Sequence, residues 1–376
     1  MFTFVVKRLL QIIPLLVIIM TLTFFVMRLA PGNPFANEKQ LTEVVQHNLN
    51  RRFGLDRPMF YVSLKESYTT LRPDGTEQWQ TRWIFPGWNT STGTFGFFRW
   101  NGFDNQYNNY FIGRSVADDE TGARMWEWGV VGGNFGPSTR FTDARSVAEV
   151  IWTGLPLSFC LGLLAYLLAL VLGIPIGIVA AYRQNSLVDY ASMGSAVFGL
   201  SVPALVLGPI LILVLSLTLY IFPPALMEWW DLGPFSVPNI RFLVLPAVTL
   251  SAVYTAYIAR LMRAAMLETL RTDYVRTARA KGLTERAVVL RHALRSALLP
   301  VVSFTGPALA FLLAGTIVVE RIFALGGLGQ FFLQSATNRD YTLTLGIVFF
   351  VSVVLIVMNL LVDIAYAFID PRIKYD

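Results

Sequence analysis

Charge is what this sequence most lacks. Only 14% of its 376 residues are Asp, Glu, Lys or Arg, against about 25% in an ordinary soluble domain. Hydrophobic residues make up 55% of the chain, and the mean hydropathy is +0.55. That imbalance excludes a water-soluble globule and points to a bilayer as solvent. Cysteine is nearly absent: Cys160 stands alone in an apolar run, so neither an internal disulfide nor a Cys-based zinc site can form. Histidine is equally scarce, with His47 and His292 only, which leaves no His-rich metal site and no Ser/His/Asp set near a credible nucleophile. No G-x-x-x-x-G-K-[ST] occurs, so the chain has no P-loop to cradle nucleotide phosphates. Tandem repeats, low-complexity tracts and Gly/Ser linkers are also missing.

What is present is a series of long apolar runs. A membrane-spanning helix needs roughly 20 residues, since a rise of 1.5 Å per residue must cross about 30 Å of hydrocarbon. Six runs qualify: Leu9–Leu29, Val147–Tyr182, Val188–Ile221, Phe242–Met262, Leu298–Val319 and Thr342–Ile369. The first competes with a cleaved signal peptide, but it is longer than a usual h-region and five more runs follow. Several exceed the bilayer thickness and are expected to tilt or to extend into water. Pro156, Pro175, Pro203, Pro209, Pro246 and Pro307 fall inside these runs. They read as kink sites, tolerated because neighbouring helices and waters satisfy the freed backbone groups. Ser158, Ser192, Ser195, Ser201 and Ser303 lie in the same runs and are explained by interhelical hydrogen bonding.

Lys and Arg set the orientation. Between Arg260 and Arg295 stand nine basic residues and three acidic ones. Twelve charges in hydrocarbon would cost on the order of 30 kcal/mol, so the segment is expected in water, on the cytoplasmic side. Lys7, Arg8, Arg183, Arg372 and Lys374 fall on that same side when six spans are counted, which makes both termini cytoplasmic. The net charge of +6 follows from this bias and does not imply nucleic acid. The opposite loops, Phe222–Arg241 and Glu320–Tyr341, are near neutral.

The chain divides into a first segment and span (1–30), a stretch of different character (31–146), and a core of five spans (147–376) with a cytoplasmic loop at 263–297. The middle stretch carries twelve basic and twelve acidic residues and six of the nine tryptophans: Trp79, Trp83, Trp88, Trp100, Trp126 and Trp128. Turn signals at Pro73-Asp74-Gly75, Pro86-Gly87 and Gly132-Gly133-Asn134 separate short β-prone pieces. A small, irregular, partly β extracytoplasmic domain is expected. Its aromatics serve either as a small core with an interfacial belt or as a contact for a solute-delivering partner.

The most informative segment lies in the basic loop. Thr272 stands where a helix cap is wanted, with Asp273 in the first turn. Gly282 fits the left-handed position that ends a helix, and Thr284 opens a second helix running toward Pro300. Ala278 and Ala280 are small enough to admit a close partner, and the cations suit carboxylates on it. The plain alternative is a basic juxtamembrane loop facing anionic lipid.

These residues resemble a known family. Arg276-Thr277-Ala278-Arg279-Ala280-Lys281-Gly282-Leu283, followed by Leu290-Arg291-His292-Ala293-Leu294-Arg295, is similar to the coupling-loop motif of ABC importer permeases, in the form of the oligopeptide/dipeptide (peptide/nickel) group, B-type subunit. The likeness continues in Arg8-Leu9-Leu10, Leu29-Ala30-Pro31-Gly32-Asn33-Pro34, Phe53-Gly54-Leu55-Asp56-Arg57-Pro58, Asn134-Phe135-Gly136-Pro137-Ser138, Gly326-Gly327-Leu328-Gly329-Gln330, Asn338-Arg339-Asp340-Tyr341 and Ile369-Asp370-Pro371-Arg372-Ile373. It covers roughly four-fifths of the chain. The general motif opens with Glu-Ala-Ala and closes with a proline; here Arg276-Thr277-Ala278 and Arg295 stand in those places, as the peptide group allows. About 70 residues near 60–131 are extra relative to the family.

The resemblance implies an all-α integral membrane protein of the type I importer permease fold, with six transmembrane helices and the inserted partly β domain between the first two. It implies a non-catalytic subunit of the bacterial-type inner membrane that forms a pathway with a homologous second permease. Two cytoplasmic ATPase subunits would bind ATP and Mg and receive the loop at 273–295, so this chain itself needs no cofactor. An extracytoplasmic binding protein would deliver a peptide or similar small solute, and Gly326–Gln330 is a candidate contact for it. A dinucleotide site at Gly326–Gln330 is set aside, because the stretch is not in a strand–turn–helix unit. Asp363, with Asn359 one turn before it, is an intramembrane polar pair; a structural hydrogen bond or ion pair near Arg372 is the expectation, and a proton relay the alternative. An ion-gradient-driven transporter working through Asp363, or a membrane receptor, are the competing functions. The inverted halves that the former requires are not visible.

Overall fold

The computed structural model describes residues 2–29, 53, 55–63, 65–71, 77–83, 87–89, 94–96, 99–100, 102–117, 124–138, 145–224, 237–313 and 316–369. Ala30–Pro34, His47 and Asp370–Ile373 of the motifs above lie outside these residues. The described chain forms two compact units. One takes in residues 1–23, 149–337 and 344–376, the other residues 24–148 and 338–343.

Helix α1, Phe2–Leu29, contains Pro14 and ends on a turn carrying Arg28. The smaller unit then follows. Its strands pair as antiparallel two-stranded ribbons: β1 (Val62–Ser63) with β6 (Arg99–Trp100), β2 (Lys65–Leu71) with β3 (Glu77–Trp83), β4 (Gly87–Asn89) with β5 (Thr94–Gly96), and β7 (Gly113–Ala117) with β8 (Arg124–Trp128). The partly β expectation for this stretch therefore meets three hairpins and one ribbon of distant strands, not one continuous sheet. Between them sits α2, Gln106–Phe111, capped by Asn105, whose side chain accepts from the Asn108 amide. The core is aromatic, with Phe24, Phe60, Tyr107 and Phe111 ring against ring at 4.4–6.2 Å. It is thus built from Phe and Tyr. Trp126 and Trp128 stand half exposed; the side chains of Trp79, Trp83, Trp88 and Trp100 lie outside the described residues.

The larger unit is helical. Helix α3, Val147–Tyr182, has the bounds read from the sequence. Its 36 residues are about 54 Å long at 1.5 Å each, well beyond the bilayer. The run expected over Val188–Ile221 is not one rod. It is α4 (Leu187–Ser201) and α5 (Ala204–Leu211, continued by a π-helical Ile212–Thr218), bent by 100°. The cause is local: Pro203 has no N–H and forces Val202 into an extended conformation, ψ 114°. Helix α6, Val237–Thr269, outruns its expected end at Met262 and carries Arg260 and Arg263, two cations assigned above to the loop. The loop supplies α7 (Asp273–Ala280), α8 (Glu285–Ala287), a π-helical Val288–Ala293 and α9 (Leu294–Ala297). Then come α10 (Leu299–Leu313), α11 (Ile317–Ile322), α12 (Leu328–Thr337) and α13 (Tyr341–Ile369). The expected loop Glu320–Tyr341 is thus largely helical. Among the described residues, five helices are long and apolar enough to cross a membrane, and the bent pair counts as a sixth where it is taken as one broken span.

Small residues bring α3 close to its neighbours. A Cβ on Gly177 would lie 2.6 Å from the Ala259 carbonyl of α6, and one on Gly173 would lie 2.9 Å from Ile258. One on Gly162 would lie 2.7 Å from Leu312 of α10. In lipid, helices associate through such close packing and not through the hydrophobic effect.

Candidate functional site

The cationic segment is built upward from a two-faced helix. Positions 275 and 278 of α7 are three apart and share a face. Val275 and Ala278 are buried on it, in the same core cluster as Met266, Val288, Ala293 and Ala297. Arg276, Thr277, Arg279, Ala280, Lys281, Gly282 and Leu283 are exposed. Of the two alanines read as admitting a partner, Ala280 is outside and Ala278 faces the chain's own core. The apolar face roots the helix; the cationic face is left to the solvent or a partner.

The turn after α7 forms as expected. Gly282 has φ +75°, the left-handed region that favours glycine, and its N–H donates to the Arg279 carbonyl at 2.9 Å. The caps differ from expectation. Thr272 and Thr284 both occupy N-cap positions, but neither side chain caps a helix. The Thr272 hydroxyl donates back to the Thr269 carbonyl at 2.6 Å, alongside the Thr272 amide at 3.1 Å, and so is turned toward the end of α6 and not toward the free amides of α7.

Arg279 fixes the angle between the flanking helices. Its Nε donates to Glu285 Oε1 at 2.7 Å across the glycine turn, and its Nη1 donates to the Leu270 carbonyl at 3.3 Å. The Tyr274 hydroxyl adds a bond to Ser296 at 3.0 Å. The result is a braced, cationic helix–Gly–helix element, exposed on its outer face.

A second constellation joins the elements next to it. Asp189, in the first turn of α4, is buried and accepts two bonds of 2.7 Å from Nε and Nη2 of Arg263 on α6. The Asn185 amide donates to the same carboxylate at 3.0 Å. The sequence alone places Arg263 among the orienting cations and does not reveal this bidentate pair. The available signal was Asp189 itself, an acid one turn into an apolar run.

The Gly-rich stretch is held from within. Glu320, fully buried on α11, accepts from the Ser158 hydroxyl at 2.8 Å and from the Gln330 amide at 3.0 Å. Ser158 in turn accepts from the Leu328 amide at 2.9 Å. Gly327, Leu328 and Gly329 are buried and Gly326 is exposed. A Cβ on Gly327 would meet Glu320 and Ser158 at 2.6 Å, so the glycine admits the carboxylate to the start of α12. Asn359 of α13 packs against Gly306 of α10, where a Cβ would lie 2.9 Å from its Oδ1. Asp363 is half-buried on α13 and its expected neighbour Arg372 lies outside the described residues. No group of three or more His, Cys, Asp or Glu fit for a metal occurs among the described residues.

Comparison with known proteins accords with this architecture. Residues 173–375 match the family described as binding-protein-dependent transport system inner membrane component. The oligopeptide transport system permease protein OppB of Salmonella typhimurium is 35% identical over 375 residues, covering all of both chains. The dipeptide transport system permease protein DppB of Bacillus subtilis is 34% identical over 371 residues, 99% of this chain and 97% of that one. Among solved structures, an inward-facing MetNI methionine ABC transporter is similar over 59% of this chain and 97% of its own, at 17% identity and a TM-score of 0.45. The sequence relatives carry the assignment. The chain belongs to the binding-protein-dependent transport family, among the oligopeptide and dipeptide ABC permeases: a multi-pass inner-membrane transport subunit and not an enzyme.

Proposed function

We propose that this chain is one of two permease subunits of an ATP-driven importer for di- or oligopeptides or similar small solutes. A homologous permease supplies the other half of the pathway. The element at 273–295 docks its exposed cations, Arg276, Arg279 and Lys281, against carboxylates of a cytoplasmic ATPase subunit. ATP and Mg belong to that partner. Residues 24–148 lie on the extracytoplasmic side, where a binding protein delivers the solute, and the exposed Gly326 is the part of its stretch open to that protein. Both termini are cytoplasmic.

The observation that carries this reading is the braced element itself. A loose basic loop would satisfy lipid headgroups. A helix rooted through Val275 and Ala278 and tied across its turn by Arg279 and Glu285 transmits displacement to the spans behind it. The Asp189–Arg263 pair carries that displacement from α6 to the broken α4–α5 rod. The test is uptake in proteoliposomes reconstituted with the partner permease, the ATPases and the binding protein. Arg279→Glu is expected to cut uptake per ATP hydrolysed by at least about tenfold, because the substitution sets like charges against Glu285 and against an acidic docking cleft. Wild-type coupling in that variant would defeat the docking role.

A further inference from the structure

A second feature stands apart from coupling. Arg28, in the last turn of α1, is turned inward. Its guanidinium lies 3.9 Å over the Phe24 ring and its Nε donates to Gln106 Oε1 at 2.7 Å. Gln106 is itself fixed, donating to the Leu55 and Arg57 carbonyls at 3.1 and 2.6 Å. The guanidinium plane is therefore set on both sides. Yet Nη1 is buried without a hydrogen-bond partner, and so is the Tyr110 hydroxyl. Burial pushes the Tyr110 phenol up, so at neutral pH it keeps its proton.

Both residues line one cavity of about 500 Å³ within the smaller unit, a size that suits a small organic ligand. Asp340, next to Tyr341 of the lining, is already spent. Asp340 accepts from Ser138 on one oxygen, and from Thr342 and the Leu343 amide on the other, each at 3.1 Å. A buried guanidinium nitrogen and a buried hydroxyl left without acceptors beside one cavity are costly unless something supplies them.

We propose that this cavity binds the carboxylate of a small ligand, with one oxygen on Arg28 Nη1 and the other on the Tyr110 hydroxyl. Two donors match the two oxygens of a carboxylate. Glu127 on the rim, 3.4 Å from Arg114, is a carboxylate within the same cavity that the ammonium end of a zwitterion can meet and that a phosphate cannot use. Peptides belong to this ligand class, and that last step alone rests on the importer reading.

The test is calorimetric titration of the purified full-length chain in nanodiscs, without ATPases, with trialanine, trialanine amide and inorganic phosphate. Trialanine is expected to bind saturably and the amide at least about tenfold more weakly, the worth of one charge-assisted pair. Arg28→Gln should lose trialanine binding about tenfold or more. Tyr110→Phe, which keeps the ring and removes only the hydroxyl, should weaken it several-fold, and it stands as the test if the Arg28 variant does not fold. Equal binding of acid and amide, phosphate bound as tightly as trialanine, or no saturable heat would each overturn the proposal. ATP-driven uptake is not involved, so failure here leaves the importer reading standing, and loss of uptake leaves this site standing.

Discussion

At the scale of single residues, the polar side chains inside the helical unit hold helices to one another. Asp189 and Arg263 do this with two short charge-assisted bonds, and Glu320 does it by accepting from a hydroxyl and a backbone amide. Breaking a fully buried pair costs about 3–5 kcal/mol. Arg263 keeps about a quarter of its side chain in reach of solvent, 26%, so the cost here is smaller. Asp189→Asn is expected to destabilise the purified chain by about 2 kcal/mol, read as a lower thermal midpoint in detergent. Adding Arg263→Gln should recover part of that loss, as coupled sites do; simple additivity would argue against the pair. Neither constellation was legible in the sequence. A lone acid near a span end and a Gly-rich stretch are both ambiguous until the partner from another helix is known, and those partners lie 74 and 170 positions away.

At the scale of elements, the sequence was far more legible. Long apolar runs specify spans because hydrocarbon leaves the backbone no other option, and α3 has the bounds expected from its run. The helix–Gly–helix geometry was readable too, because Gly282 marks a left-handed position that few other residues accept. Two element-level features were less clear. Pro203 was seen as a kink, yet the bend it makes is 100°, since no proline rule gives an angle. The spacing Gly173-x-x-x-Gly177 was visible but not interpreted, and it is where α3 meets α6. Gly177→Val should force those helices apart against the Ala259 carbonyl, 2.6 Å from the added carbon. A destabilisation of about 1–3 kcal/mol is expected, measured by fluorescence-detected size exclusion after graded heating. An unchanged profile would mean that the contact is not needed.

At the scale of the whole molecule, the permease depends on a partition. In the proposed function, a dense cationic segment stays in water on the inner face while apolar helices cross lipid, and force from a nucleotide-driven partner enters through it. The single native cysteine, Cys160, is buried, so a Cys160→Ser, Lys281→Cys chain gives one exposed thiol in the turn after α7. Its labelling by a membrane-impermeant maleimide should occur in inside-out vesicles, fail in right-side-out vesicles, and fall when the ATPase subunits are bound. Labelling from the outer face, or labelling unaffected by saturating ATPase, would contradict the docking of this element on a cytoplasmic motor.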